Sequence, residues 1–172
     1  MTIQQAIPII QELTTNQLVF TGLLQDANPK MILWRPQPEH WCLLEVVCHL
    51  YDEEREDFRQ RIKLLLEDPT QPLPPFDPTK WVQERAYLAQ DYTAKTAAFL
   101  KERTASITWL QSLTSPAWDN TYQHPKLGPM SAGLFLANWL AHDQLHIRQI
   151  NRIKRAYLQQ TTDIDLSYAG NW

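Results

Sequence analysis

Glycine is scarce in this chain, with four residues in 172. Tight hairpins and phosphate-cradling loops both draw on glycine for their backbone angles and close approaches, so the shortage argues against either. Cysteine is scarcer still. The two present, Cys42 and Cys48, fall within one predicted helix, where six residues separate their Cα atoms by about 9 Å, too far for a disulfide. That pattern suits a reducing cytoplasm. No apolar run approaches the roughly 20 residues needed to span a bilayer. Met1 to Pro8 show no basic stretch leading into an apolar one, so neither a membrane anchor nor a secretory signal is expected. A basic block is lacking too, and the net charge is -3. Nucleic-acid binders carry a clustered positive stripe to neutralise phosphates. Arg152, Lys154 and Arg155 read instead as the solvated end of a helix, where cations suit the dipole. No nucleic-acid partner is expected.

What is present is an ordinary globular mixture, 44% apolar and 20% charged. The length suffices for a single domain over residues 1–172 whose core needs no staples. Ile3, Ile7, Ile10, Leu13, Leu18 and Leu24 recur at helical spacing and predict a first helix over 3–25. Asn28 and Pro29 end it, and Trp34 to Glu39 read as an extended connection. A second helix is expected over Leu43 to Glu67, followed by a stiff crossover from Asp68 to Pro78 that holds five prolines. A third covers Trp81 to about Leu113, with a break near Leu88 to Asp91. Residues 117–130 form another long connection, and Ser131 is a good N-cap for a last helix reaching about Leu158. The fold class expected is all-α: a four-helix bundle with long crossover connections, and not a simple up-down-up-down series.

The last helix carries the strongest chemical signal. Steps of four and three trace an inward stripe through Phe135, Trp139, His142, His146, Gln149 and Ile153. His142 and His146 then share a face one turn apart, close enough to grip a single ion. Two neighbouring buried imidazoles each need a partner, and a shared cation, a hydrogen-bonded pair or an internal water would serve. On the second helix, Glu45 and His49 are the polar exceptions in an apolar half-helix from Leu43 to Leu50. The stripe through Val47, Tyr51, Phe58, Ile62 and Leu65 lies roughly 160° from His49 at about 100° per residue. His49 therefore belongs to a polar face that continues into Asp52, Glu53 and Glu56, and that face either lines a cleft or meets solvent.

Weaker candidates surround these. Glu45 is read as an acceptor for a ligand N–H, a general base, or a plain surface residue. Asn138 and Gln149 flank the paired histidines, and Trp139 is placed to wall the site. Cys42 is weighed as a soft ligand against a buried structural thiol. Asp52 and Glu53 read as the start of a wet face, and His40 and His124 as solvated loop residues. Tyr168 and Trp172 flank Gly170 and suit a tail docked over an apolar groove, on the same bundle or on the partner of a homodimer.

Trp41 to Leu50, with Glu45 and His49 inside it, followed far downstream by His142-Asp143-Gln144-Leu145-His146, resembles the DinB/YfiT-like family of metalloenzymes. The likeness covers helix order, the early His-Leu pair of the second helix and the paired histidines of the last. It implies a four-helix bundle in which His49, His142 and His146 bind one divalent ion, zinc or nickel. Some relatives use a low-molecular-weight thiol, as in maleylpyruvate isomerase and the bacillithiol transferases. The resemblance thus implies a metal-dependent enzyme acting on a small-molecule substrate, by thiol transfer or hydrolysis. The rival is a stress-response protein that keeps its metal for structure or sensing. The two differ in openness, since a catalytic ion keeps a free coordination position and a structural one is closed.

Overall fold

The computed structural model describes residues 1–75 and 77–170. Helix α1 (Ile3–Leu24) begins at a capping box: the Thr2 hydroxyl accepts the Gln5 N–H while the Gln5 side chain accepts the Thr2 N–H. A short α2 (Pro29–Ile32) follows. The second rod is α3 (Leu43–Glu53), a five-residue π turn (Glu54–Phe58) and α4 (Arg59–Glu67), continuous where one helix was expected. The break in the third segment is real. Helix α5 (Pro78–Glu84) ends before a 3-10 turn (Tyr87–Ala89), and α6 (Tyr92–Ser112) starts afresh from the Asp91 cap. Helix α7 (Ala132–Thr162) starts from Ser131, whose hydroxyl accepts the Leu134 N–H at 3.0 Å, and runs four residues beyond expectation.

One expectation fails in the last connection. Strands β1 (Thr121–His124) and β2 (Gly128–Ser131) pair antiparallel, with His124 opposite Gly128. A chain poor in glycine still places one where it counts: Gly128 has φ +75°, the left-handed residue that closes a three-residue hairpin loop. His124 Nδ1 accepts the N–H groups of both Lys126 and Leu127 at 3.1 Å, so this side chain helps to hold the turn.

Helix α1 packs on α6 and α7, α3 on α6, and α4 on α7. The first and second rods therefore occupy one diagonal of the bundle, and α6 and α7 the other. A chain that crosses the diagonal between consecutive rods needs long connections, which residues 25–42 and 113–131 supply. The prolines of the crossover are tied to the second rod by Arg61, which pairs with Asp57 and donates to Pro74 O at 2.9 Å.

The core is split into two apolar clusters, one around Phe20, Leu24, Phe99 and Ile150, the other around Leu13, Ile62, Leu65 and Trp139. A charged layer lies between them. The Arg103 guanidinium donates to both oxygens of Glu54 at 3.0 Å and forms a two-pronged pair with Asp143. Asn16 donates to Asp143 and the Trp139 indole N–H donates to Glu54, each at 3.1 Å. Arg103, Glu54 and Asp143 are at most 1% exposed. All four rods contribute to the layer.

At the other end, the docked tail is not seen: Tyr168 is fully exposed, and Trp172 lies outside the described residues.

A buried pair deprived of one partner leaves an unpaired charge in low dielectric, at a cost of about 3–5 kcal/mol. Arg103→Met is therefore expected to lower the melting temperature by roughly 10 °C or more, at about 2–4 °C per kcal/mol for a chain of this size. Lys101→Met, on the exposed side of the same helix, serves as the control. A thermal melt of Arg103→Met within 2–3 °C (roughly 1 kcal/mol) of the parent would show the layer to be dispensable.

Candidate metal centre

Helix α7 sets His142 and His146 one turn apart, and their Nε2 atoms stand 3.0 Å from each other. His49, from α3, brings its Nε2 within 3.2 Å of His142 Nε2. The three candidate ligand atoms lie within 4.8 Å of one another. The 160° offset expected for a straight second helix does not keep His49 out of the interior. A π turn holds about 4.4 residues, so each of its residues advances about 80°, and the rod lags by roughly 90° across it. His49 before the turn, Phe58 at its end, and Ile62 and Leu65 after it are all buried.

The same face that was read as wet is covered. Asp52 accepts from the Tyr87 hydroxyl at 2.7 Å and pairs with Arg85 at 2.9 Å, and Arg85 also grips Glu56. These contacts hold residues 85–90 over the α3 surface, including Ala86 in a left-handed conformation. Glu53 is 4% exposed, and its carboxyl stands 3.6 Å from His49 Nε2, outside hydrogen-bonding distance.

Burial holds all three imidazoles well below the ordinary histidine range, with neighbouring histidines adding to the effect on His49 and His142. His49 is brought to about 3 and His142 to about 2, and His146 moves in the same direction. Burial, followed by repulsion from Asp57, pushes Glu53 up to about 8. At neutral pH the Glu53–His49 contact is therefore between two uncharged groups and is no ion pair.

Three neutral imidazoles converging on one point form a poor hydrogen-bond cluster, because His142 Nε2 cannot satisfy both neighbours with a single proton. The donor set suits a cation. Gln149 Oε1 lies 2.7 Å from His146 Nδ1. An amide oxygen there accepts the Nδ1–H and leaves the Nε2 lone pair free to bind an ion. Trp41 packs edge-on to His49 with ring centroids 5.0 Å apart. Phe58 sits 5.1 Å from the His142 ring and stacks on Trp139, linking the triad to the charged layer. His142 is the half-buried member and faces a cleft of about 630 Å³.

The remaining candidates go elsewhere. Glu45 is buried and fully engaged: one oxygen accepts the Cys42 N–H at 2.9 Å, capping α3, and the other meets Arg35 at 2.8 Å. His49 Nδ1 has no hydrogen-bond partner, so Glu45 does not orient that ring. Asn138 is exposed and bonds to Leu134 O of its own helix. Trp139 reaches the site only through Phe58. Of the two flanking amides, Gln149 alone touches a histidine.

The stripe traced along α7 is half a position out. Asp143 and Ile150 point into the core, whereas His142 and Gln149 sit at its edge. Asp143, Glu54 and Arg103 were all missed. A signal for Arg103 was available, since it lies on one helical stripe with Phe99, Ile107 and Leu110, and a cation at a core position requires partners.

Residues 12–150 match the DinB superfamily. The chain belongs to the DinB superfamily. Two solved structures share the four-helix-bundle fold. YfiT from Bacillus subtilis, described as a probable metal-dependent hydrolase with an unusual four-helix bundle topology, aligns with a TM-score of 0.78 at 20% identity, over 90% of this chain and 89% of its own. TT2238, a four-helix bundle protein, aligns with a TM-score of 0.51 at 17% identity, over 86% of this chain and 98% of its own. In sequence, a candidate metal-dependent hydrolase of Oceanobacillus iheyensis is 28% identical over 111 residues, 64% of this chain. The match spans 62% of that relative's length.

Within this DinB bundle neither cysteine is poised to react. Burial raises the Cys42 thiol above its usual value and pushes Cys48 up to about 12. Reactivity follows the thiolate, so both thiols are expected to label slowly with a disulfide reagent at pH 8 in the native protein and at once after denaturation. Rapid native labelling of either would contradict its buried placement.

Proposed function

We propose that His49, His142 and His146 hold one divalent metal ion, zinc or nickel, and that the protein is a metal-dependent hydrolase of small molecules. The convergence of three neutral Nε2 atoms beside an open cleft is the observation that carries this reading. Bound there, the ion would acidify a water or thiol and polarise a carbonyl. The chain's own residues supply the setting. Gln149 holds the His146 ring, Trp41 packs edge-on to His49, Phe58 packs against the His142 ring, and the Glu53 carboxyl borders the triad. The cleft at His142 favours turnover over a sealed structural site. The names carried by the relatives favour hydrolysis over thiol transfer, which would use the same ion with a thiol as nucleophile.

Elemental analysis of untagged protein is expected to find about one divalent ion per chain. His146→Ala should lose most of it, because two ligands chelate weakly, while Glu45→Gln should keep it. Full retention by His146→Ala would remove the triad from consideration. Chelation is expected to lower the melting temperature but to leave helical circular dichroism largely intact at room temperature, since the bundle has its own core. Unfolding on chelation would favour a structural metal.

Activity is tested by assaying the loaded protein against small esters and amides. Hydrolysis that chelator abolishes and added metal restores is the expected result. Inertness across that panel, coupled with transfer of an added thiol to an electrophile, would overturn the hydrolytic assignment.

A further inference from the structure

The cleft beside His142 carries four polar residues, Asn138 on α7 among them. Glu53, Asp57 and His142 gather near the triad, whereas Phe58, Met130, Leu134, Phe135 and Leu145 supply most of the remaining wall. No lysine or arginine lines this first cleft. A second cleft, of about 330 Å³, shares Asp57, Met130 and Phe135 with the first and runs on between the proline crossover and the hairpin. Leu73, Pro74, Pro75 and Leu127 extend the apolar wall there, and the polar residues lining it are Asp57 and Arg61, which pair with each other while Arg61 also donates to Pro74 O, and His124, which holds the hairpin turn. Leu127, Leu134 and Leu145 border this continuous groove and remain well exposed to solvent. Exposed leucines gathered around a concave surface mark a binding site more often than scattered ones do.

From these features we infer that the site takes an amphiphilic small molecule, its polar head at the triad and its apolar body laid along α7 toward the hairpin. The inference rests on the reading of the triad as an open metal centre and adds the substrate class. Eight residues of helix separate His142 from Leu134, about 12 Å of groove, and the second cleft prolongs it. That length suits an unbranched body of about eight to ten carbons, at roughly 1.3 Å per bond, and the combined space is in the range of small-molecule sites. A compact, fully polar substrate would leave the leucines without a role.

The test uses the full chain loaded with Co²⁺ and a series of straight-chain hydroxamic acids from two to ten carbons, followed by the visible band of the cobalt. Acetohydroxamic acid is expected to bind. Affinity should then rise about two- to fourfold per added methylene until the groove is filled. Leu134→Asp should flatten the series while leaving acetohydroxamic acid unaffected. Leu18→Asp, an exposed leucine on α1 outside the groove, should change neither. A flat series in the parent protein, or a slope untouched by Leu134→Asp, would overturn the inference and leave the metal centre standing. Failure of acetohydroxamic acid to bind the cobalt-loaded protein would overturn the open centre itself, and the substrate class with it. A doubled mass in solution that Leu134→Asp abolishes would assign the leucines to a second copy of the chain and overturn the inference in favour of a dimer.

Discussion

Arg103 is the residue on which the bundle turns. A guanidinium that is 1% exposed can be tolerated only if its donors are met by acceptors, and here two carboxylates from two other rods meet them. The remaining rod, α1, joins through Asn16. Such a layer is not a cheap source of stability, because desolvating three charges offsets most of their attraction. It does impose specificity. The donor fork of Arg103 accepts Glu54 and Asp143 in one relative placement, so the helices cannot slide past one another as an all-leucine core would allow.

The histidine triad inherits its geometry from that placement. Asp143 anchors α7 at the residue next to His142, and Glu54 begins the π turn five residues after His49. The turn and the layer are two aspects of one arrangement. Without the extra residue in the second rod, either His49 or the Phe58–Leu65 stripe would face away from the interior. Trp139 completes the link, since its indole N–H is fixed by Glu54 and its ring stacks on Phe58, which packs against His142. π turns inside helices are common at functional sites for this reason: they re-aim side chains without ending the helix.

Desolvation then sets the chemistry. The imidazoles are kept neutral by burial, the protonation state a metal requires. Because one of the three is only half-buried, the centre is open on the side of a long groove. The proline crossover and the glycine-closed hairpin, both remote in sequence from the histidines, form the far walls of that groove. Of the two, the hairpin lies in a connection that also carries the chain across the bundle diagonal.

Much of this was legible in the amino-acid order. Apolar spacing, the Ser131 cap, the break near Leu88 to Asp91, and the prolines of 69–78 determine which segments are helical and where they stop, because these are local effects read over one or two turns. The spacing of His142 and His146 already placed two imidazoles on one face. Other features were settled only by tertiary structure. The π turn cannot be read from periodicity, so Asp52 and Glu53 were read as the start of a wet face and His49 was left between lining a cleft and meeting solvent. Glu45 had the composition of a site residue, yet the local N–H of Cys42 and the nearby Arg35 claimed it. The half-position rotation of α7, which turns Asp143 inward and leaves His142 at the cleft, depends on a cation forty residues away on another helix. Local sequence decides what each segment is. The pairing of buried charges across helices decides which way each segment faces, and no window of sequence contains both partners.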